Sequence, residues 1–453
     1  MSLLKELVRE RAPRAFAALR RARRQVELEA RVIRRINVFD FIRQTLPAGN
    51  MWRTELPVQR PQTYSVSATS ALSENVADYL RARFPMDRSG RSIYLDPGLW
   101  RRTEFADIAR HYPEDAGLRI LFDPSPPSSI LVANHLASIG LAPRLYDVAK
   151  LAINGHPYTA YMLQHVAGRV PTEEEWGIGL ERLREACTNS PIRVVTPGGL
   201  RHTDFRSPDC NGDAVVVGNG RFLYTNLQNF GLHRYGTYLK TLARQVGAAS
   251  YIGERSLIEG GSYLYHAIPG VGLPARRDPR RRMVAVAALL SEATVSLEKR
   301  IVLDVGCNIG MMAAEYLRAG ATWVHGWDRP ATALSAERML LAIGCTRFSV
   351  TGCDLDATRP LMSDVPAFLR SDFPGAVVSY LAIRGHLGWL AALQSMPWAA
   401  LIYEGHEGED EAAARQHLAE LCSTAGAEVA GLRLHRDGDS TPRVLAVLRR
   451  LPA

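Results

Sequence analysis

Cysteine is scarce in this 453-residue chain, and its six cysteines are scattered without a C-x-x-C pair. This spacing argues against a zinc site and against a disulfide framework, and it suits a reducing cytoplasm. Long apolar runs are also missing, since no stretch approaches the ~18 to 20 apolar residues that span a bilayer. Residues 1–16 lack the apolar segment of a signal peptide. We therefore expect a cytoplasmic protein, with peripheral binding to a membrane as an open alternative.

Excess charge is missing from most of the chain, although the net charge is +9. Residues 1–35 hold eleven basic and four acidic side chains, a net of +7, which leaves +2 for the remainder. Within residues 1–35, apolar residues recur at helical spacing, which predicts a basic helix. Such a helix favours RNA phosphates or an anionic membrane surface. The alternative is docking on its own chain or on a second copy, as in a homo-oligomer.

Length and composition predict three units. Residues 46–66 contain three prolines and indicate an irregular connector, whereas residues 266–282 are rich in Pro, Gly and Arg and mark a second boundary. We assign residues 1–45 to the basic helix, residues 46–265 to an α+β domain and residues 266–453 to an α/β domain.

In the last unit, segments typical of buried strands alternate with segments at helical spacing. This alternation predicts a Rossmann-like sheet, mostly parallel, with helices on both faces. The final two apolar segments flank the turn RDGDSTP and predict a hairpin, which makes the last strand antiparallel. The expected strands are 301–307, 322–328, 347–355, 376–383, 400–406, 428–435 and 443–451.

The strongest motif is IVLDVGCNIG, residues 301–310. A buried strand leads into Asp304 and Gly306, and a helix follows Gly310. Gly306 permits a tight turn, and Gly310 lets the backbone approach a ligand without a Cβ clash. The N-terminus of the following helix offers free N–H groups to a carboxylate.

Two further acidic residues end the next two expected strands. Asp328 lies about 20 residues after the motif, where a carboxylate can accept hydrogen bonds from both ribose hydroxyls. Asp354, at the end of the third strand, lies where an adenine amino group is expected.

These features resemble the class I S-adenosylmethionine-dependent methyltransferases over roughly residues 282–453. The resemblance implies S-adenosylmethionine as cofactor, Asp328 as the ribose-binding acid and Asp354 as the acid beside adenine. The alternative is a domain that binds a nicotinamide dinucleotide, but G-C-N-I-G departs from G-x-G-x-x-G. The implied cofactor-binding residues are Asp304, Gly306, Cys307, Asn308, Gly310, Met311, Asp328, Asp354 and Leu355.

Methyl transfer needs alignment of the reacting atoms, and a general base where the acceptor is a hydroxyl or an amine. The segment AVVSYLAIRGHLGW is similar to the family's fourth motif, which implies that Tyr380, Arg384 and His386 lie near the methyl group. Glu404 and His406 in LIYEGHEGED lie beside it. We therefore take Tyr380, His386, Glu404 and His406 as catalytic candidates. Tyr265 and His266 are candidates for a lid over the site.

The middle unit is similar to antibiotic- and choline-kinase-like domains in two segments, residues 128–148 and residues 201–230. The second segment resembles a catalytic loop. The resemblance implies that His202 and Asp204 occupy the H-x-D position and that Asn211 lies near the magnesium-binding Asn.

Three positions of the middle unit depart from the kinase pattern. Asn226 stands where the second metal-binding acid is expected, Asn134 replaces the helix glutamate, and only Arg119 is available for the strand lysine. Chelating magnesium needs the missing carboxylate. The resemblance therefore implies a degenerate kinase-like domain, and an unrelated α/β domain is the alternative.

We predict a methyltransferase that acts on a hydroxyl or amine of a small molecule, a saccharide or a lipid-linked glycan. The alternatives are an RNA methyltransferase that uses residues 1–35, a bifunctional methyltransferase–kinase and a non-catalytic scaffold that binds the cofactor. Bifunctional proteins that terminate bacterial polysaccharide chains share both parts, but their methyltransferase comes first.

Overall fold

The computed structural model describes most of the chain between residues 56 and 451. Several predictions lie outside the described residues: the basic helix, the loop positions 202, 204, 211 and 226, and the site candidates Asp354, Leu355, Arg384 and His386. The described residues are 56, 58–67, 75–86, 92–122, 128–169, 171–188, 191–194, 214–216, 222–224, 230–232, 235–249, 264–273, 275–353, 363–383, 396–406, 410–436 and 442–451.

A five-stranded sheet forms the first part of the fold. Its order is β1-β4-β5-β3-β2, and all neighbours are antiparallel except β1 and β4. The β4–β5 turn is Asn154-Gly155, and both residues have positive φ, as two-residue hairpin turns require. The strands are β1 (Thr63–Val66), β2 (Ser92–Leu95), β3 (Ala116–Leu121), β4 (Leu145–Ile153) and β5 (His156–Gln164).

Strand β1 comes from the segment that we interpreted as an irregular connector, and that interpretation is wrong for its last residues. Thr63–Val66 pairs in parallel with residues 150–153 of β4. Just before it, Gln59 is buried. A partner so far along the chain cannot be inferred from a four-residue strand, because local periodicity carries no signal for it.

Helices and short strand pairs complete the middle of the chain. Antiparallel pairs join β6 (Ile192–Val194) to β9 (Phe230–Leu232) and β7 (Ala214–Val216) to β8 (Phe222–Tyr224). A parallel pair joins β10 (Leu264–His266) to β11 (Ala275–Arg277). The helices are α1 (Val76–Arg83), α2 (Pro97–Trp100), α3 (Ala106–Ala109), α4 (Ser128–Ser138), α5 (Glu173–Thr188) and α6 (Tyr235–Ala249).

A seven-stranded sheet forms the last part of the fold, in the order β14-β13-β12-β15-β16-β18-β17. Strand β18 is antiparallel to both of its neighbours, and the other pairs are parallel. The predicted mostly parallel sheet with an antiparallel last strand is therefore confirmed. The strands are β12 (Ile301–Val305), β13 (Trp323–Asp328), β14 (Phe348–Gly352), β15 (Val377–Leu381), β16 (Ala400–Glu404), β17 (Ala427–His435) and β18 (Arg443–Arg450).

Helices cover both faces of this sheet. Helices α7 (Pro279–Glu292), α8 (Met311–Arg318) and α9 (Pro330–Ala342) share a core on one face. Helix α10 (Glu411–Ala425) and the 3₁₀ helix Ala367–Gly375 share a core on the other face. Successive strands diverge on either side of β12, which creates the topological switch point where ligands bind in such sheets.

Helix α7 begins earlier than the apolar periodicity predicts. The apolar run MVAVAALL predicts a start at Met283, but the helix starts at Pro279. The Asp278 carboxylate accepts a hydrogen bond from the Arg280 N–H at 2.9 Å, so Asp278 caps the helix and proline takes the first turn. The Arg-rich run that we interpreted as a boundary is thus partly helical.

Buried polar contacts join the two sheets. Gln59 Nε2 donates to Asp147 Oδ1 at 2.9 Å and to Thr346 Oγ1 at 2.8 Å. The Arg347 guanidinium lies 3.3 Å from the same Asp147 oxygen. On α4, Asn134 Nδ2 donates to the carbonyl oxygens of residues 341 and 345. These contacts fix the α9–β14 connection against the five-stranded sheet.

None of the helices in the described part of the chain combines the length and apolar character that a membrane span needs.

Candidate active site

Among the described residues, the candidate acids Asp304, Asp328 and Glu404 lie along the edge of the seven-stranded sheet where the parallel strands end. Asp304 on β12 is in register with Gly326 of β13 and with Ser379 of β15. Glu404 ends β16 opposite Leu381 of β15. Carboxyl ends of parallel strands meet at one edge, so the acids of β12, β13 and β16 lie along the same edge of the sheet.

The loop after β12 is held by the end of β13. The N–H groups of Gly306 and Cys307 both donate to the Trp327 carbonyl oxygen, at 2.9 and 3.0 Å. Gly306 has φ +68° and Asn308 has φ +50°, so the loop turns through the left-handed region. Asn308 tolerates this because its Oδ1 accepts the N–H of the next residue at 2.7 Å.

Gly310 begins helix α8 and has no room for a side chain. Its φ is +79°, and a Cβ there would lie 2.8 Å from Leu340 Cδ1 on α9. No side chain caps α8. The first-turn N–H groups of a helix lack intrahelical acceptors. The N-terminus of α8 thus suits a ligand carboxylate.

Asp328 links the two strands and the loop. Its Oδ2 accepts the Asn308 N–H at 2.8 Å, and its Oδ1 accepts the Arg329 N–H at 2.8 Å. Burial raises the pKa of Asp328, while these hydrogen bonds act against that shift. Each carboxylate oxygen has a second lone pair, so Asp328 can still accept hydrogen bonds from a ligand.

Asp304 is a buried acid with one oxygen left open. Ser379 Oγ donates to Asp304 Oδ1 at 2.7 Å, and the Tyr316 hydroxyl donates in turn to Ser379 Oγ at 2.8 Å. Among the described residues, Asp304 Oδ2 has no hydrogen-bond partner. Burial raises the pKa of Asp304 to about 7. A cationic donor at Oδ2 would restore the charged form.

Glu404 is almost completely buried between two arginines. Its Oε2 lies 3.1 Å from Arg282 Nη2 and 3.7 Å from Arg443 Nη1. Its Oε1 has no hydrogen-bond partner in the described part of the chain. Because Glu404 Oε2 lies next to both guanidiniums, this geometry favours holding the arginines over abstracting a proton.

The other candidates differ in how they face the site. Tyr380 is fully buried in the core beneath α10, and its ring stacks on Tyr403 at a centroid distance of 6.1 Å. His406 is half-buried just past the end of β16. Cys307 and Met311 are buried, and a Cβ at Gly326 would lie 2.9 Å from Cys307 Sγ. Cys307 and Met311 can therefore offer mainly backbone groups to a ligand.

Sequence reasoning missed two arginines of this site and misplaced a histidine. Arg282 and Arg443 were not singled out, because Arg-rich runs usually indicate a solvated surface. The lid candidate His266 is instead buried, with its Nε2 3.4 Å from Arg282 Nη1. No local sequence signal pointed to these arginines, because only the fold brings Arg282 and Arg443 next to Glu404.

No family model and no curated protein matches the chain. Among solved structures, magnesium protoporphyrin IX methyltransferase from Synechocystis PCC 6803 with bound SAH is 16% identical, with a TM-score of 0.29 over 38% of this chain and 84% of that chain. The ribosomal protein L11 methylase of Lactobacillus delbrueckii subsp. bulgaricus is 17% identical, with a TM-score of 0.27 over 39% and 83%. The putative RNA methyltransferase PH1948 of Pyrococcus horikoshii is 14% identical, with a TM-score of 0.28 over 37% and 82%. Because these identities and TM-scores are low, the fold is assigned from the strand order alone.

Proposed function

We propose that the seven-stranded sheet binds S-adenosylmethionine and that the chain is a methyltransferase. The observation that carries the proposal is the β12–α8 loop with its three left-handed residues, held between Asp304 and Asp328. The open Oδ2 of Asp304 suits an ammonium group, and the N-terminus of α8, which no side chain caps, suits a carboxylate.

These residues fit the cofactor part by part. The N-terminus of α8 would receive the cofactor's carboxylate, and Asp304 would accept its ammonium. Asp328 would accept the ribose hydroxyls while it holds the loop through the Asn308 N–H. When bound, S-adenosylmethionine supplies an electrophilic methyl group on a sulfonium. The chain then has to align the acceptor and exclude water.

The acceptor in this proposal is a hydroxyl or an amine on a small molecule, a saccharide or a lipid-linked glycan. Glu404 ends β16 and His406 lies just past it, on the part of the edge that we assign to the acceptor. In our proposal His406 takes the proton, because Glu404 is held by two arginines. His386 and Tyr380 remain predictions for the same role.

A kinase-like middle domain is the second candidate, and strand pairing supports it. β6 pairs with β9 and β7 with β8. In the sequence, Asp204 lies between β6 and β7, and Asn226 lies between β8 and β9. Both connecting segments therefore run from one of these strand pairs to the other. Asn134, at the helix-glutamate position, donates instead to carbonyl oxygens of the α9–β14 connection. We therefore propose a domain that no longer transfers phosphate.

Calorimetric titration with S-adenosylmethionine tests the main proposal. Asp328→Ala removes two hydrogen bonds to a charged acceptor, each worth ~1.5 to 3 kcal/mol, so binding should weaken at least tenfold. Asp372→Ala, at a partly exposed acid of the same sheet region, should bind like the wild type. Wild-type protein that binds no S-adenosylmethionine would refute the proposal. Binding of ATP with magnesium would instead favour a bifunctional enzyme.

A further inference from the structure

The turn after β15 contains a left-handed residue that is not glycine. Ala382 has φ +56°, and the residues on either side of it are half-buried. The left-handed residues of the β12–α8 loop are Gly306, Asn308 and Gly310, which are of types that tolerate this conformation. Alanine tolerates it poorly, because its Cβ comes close to the following carbonyl oxygen. Such strain persists only where the surrounding contacts fix the backbone, and it clusters at functional sites.

A backbone hydrogen bond fixes Ala382 to the neighbouring strand. Its N–H donates to the Glu404 carbonyl oxygen at 2.9 Å, directly after the Leu381–Glu404 pair that ends the β15–β16 ladder. The Glu404 side chain is itself held by ion pairs with Arg282 and Arg443. Relaxing the turn would therefore break a hydrogen bond to a residue that is held from two sides.

The turn lies where the sheet opens beside the β12–α8 loop. β12 and β15 pair as far as Val305 and Tyr380. Beyond this pair the two chains diverge, since the Gly306 N–H donates to a carbonyl oxygen of β13, whereas the Ala382 N–H donates to one of β16. The opening between them is the switch point of the sheet.

Ile383 crosses this opening and contacts the loop. A Cβ built on Gly306 would lie 3.0 Å from Ile383 Cδ1 and 3.2 Å from Ile383 Cγ1. Ile383 therefore packs on the side of Gly306 where a side chain would project. It also packs against the core that lies beneath α10. The Ile383 side chain thus connects the loop to the packed interior of the sheet.

We propose that Ile383 is a positioning residue for cofactor binding, which holds the β12–α8 loop in its ligand-binding shape through Gly306. The left-handed backbone of Ala382 directs Ile383 onto the loop. The inference rests on the proposed methyltransferase function and adds a residue that acts on the ligand only through the loop. A loop that is already ordered loses less conformational freedom on binding, so the contact raises affinity. The strain at Ala382 slightly destabilises the fold while it favours binding.

The first test separates stability from binding at Ala382. Ala382→Gly relieves the strain and frees the turn, so thermal unfolding of the full chain should shift upwards by about 1 to 3 °C. In calorimetric titration, its affinity for S-adenosylhomocysteine should nevertheless fall by about threefold or more. A merely structural role for the turn would give the stabilisation without the loss of affinity, and that result would overturn the proposal.

Lys299→Gly is the matched control for Ala382→Gly. Lys299 is exposed, has φ +62° and precedes β12 at the amino ends of the parallel strands, far from the loop. The glycine variant should gain a similar amount of thermal stability and bind S-adenosylhomocysteine like the wild type. An equal loss of affinity in the two glycine variants would also overturn the proposal.

Shortening Ile383 tests the contact itself. Ile383→Ala removes both contacting carbons and should weaken S-adenosylhomocysteine binding by about tenfold, whereas Ile383→Val removes only Cδ1 and should lie in between. The control is Leu432→Ala, which shortens another half-buried side chain packed against the same core, on the edge strand β17. Equal affinities in Ile383→Ala and Leu432→Ala would show that the contact does not position the loop.

Hydrogen–deuterium exchange of the free protein keeps this inference separate from the proposed function. Wild-type protein that binds no S-adenosylhomocysteine would refute the proposed function. Even then, Ile383→Ala should speed exchange of the amides at residues 306–310, and Leu432→Ala should not. Unchanged exchange of these amides in Ile383→Ala would contradict the ordering of the loop by Ile383, whatever the ligand titrations show.

Discussion

Two buried aspartates, one in each sheet, are satisfied to different degrees. Asp147 of the five-stranded sheet accepts hydrogen bonds from Gln59, from Tyr112 and from the Val148 N–H, with Arg347 beside it. Among the residues that the structure describes, Asp304 of the seven-stranded sheet accepts one hydrogen bond, from Ser379, and its Oδ2 has no partner. A saturated buried acid stabilises the fold, whereas an open one favours a ligand. Asp147 therefore stabilises the five-stranded sheet, whereas Asp304 is a candidate for ligand binding in the seven-stranded sheet.

The largest expected effect is at the saturated acid. Asp147→Ala leaves the buried Arg347 guanidinium without its carboxylate and should lower the free energy of unfolding by about 3 to 5 kcal/mol. Urea unfolding followed by circular dichroism measures this loss. The control is Tyr112→Phe, which removes one hydrogen bond to Asp147 and one to Tyr64 but keeps the ion pair, and it should cost about 2 kcal/mol. Equal losses in the two variants would mean that the ion pair contributes nothing.

At Asp304, the acid with an open oxygen, a substitution should weaken cofactor binding more than it lowers the stability of the fold. Asp304→Asn keeps an oxygen for Ser379 but removes the charge offered to a ligand ammonium. Affinity for S-adenosylmethionine should fall by about 1.5 to 3 kcal/mol, while the urea midpoint stays near the wild-type value. If the midpoint falls as far as in Asp147→Ala, the two acids do not differ in role.

The same acid should leave a signature in the pH dependence of stability. Its pKa is about 7 in the folded protein and 3.8 when exposed, so the folded state binds this proton more tightly. The contribution of Asp304 to stability therefore falls as pH rises from about 4 to 7 and is constant above that range. Asp304→Asn should remove this decline, as urea midpoints across the range would reveal. An unchanged slope would contradict the assigned pKa.

A smaller effect on stability is expected from alanine substitutions at two glycines that share a left-handed backbone conformation. Gly310 has φ +79° and faces Leu340, whereas Gly426, the C-cap of α10, has φ +61° and no atom within 4 Å of a built Cβ. Both alanine variants incur left-handed strain, but Gly310→Ala adds a steric clash and should cost at least about 1 kcal/mol more. Thermal unfolding of the pair measures the difference, and identical midpoints would show that α9 yields to the extra methyl group.

The seven-stranded sheet could be predicted from sequence because its signals are local. Apolar runs end at Asp304 and Asp328, and Gly306 and Gly310 mark the loop between β12 and α8. Each of these features lies within a few residues of the structure that it specifies. The strand-by-strand expectation and the placement of Asp304, Asp328 and Glu404 at one edge could therefore be derived.

What could not be predicted depends on long-range contacts. Strand β1 is defined by pairing with β4, and Gln59 is buried by residues from both sheets. The two arginines paired with Glu404 come from α7 and β18, which are distant in sequence. Each arginine alone looks like a solvated charge, and only the fold brings the two together.

Hydrogen–deuterium exchange with and without S-adenosylhomocysteine tests the proposed cofactor site, because it locates the ligand on the chain. We expect slower exchange at the β12–α8 loop, residues 304–311, and around Asp328, with no change in the five-stranded sheet. Protection confined to residues 116–164, or exchange that does not change anywhere, would contradict it.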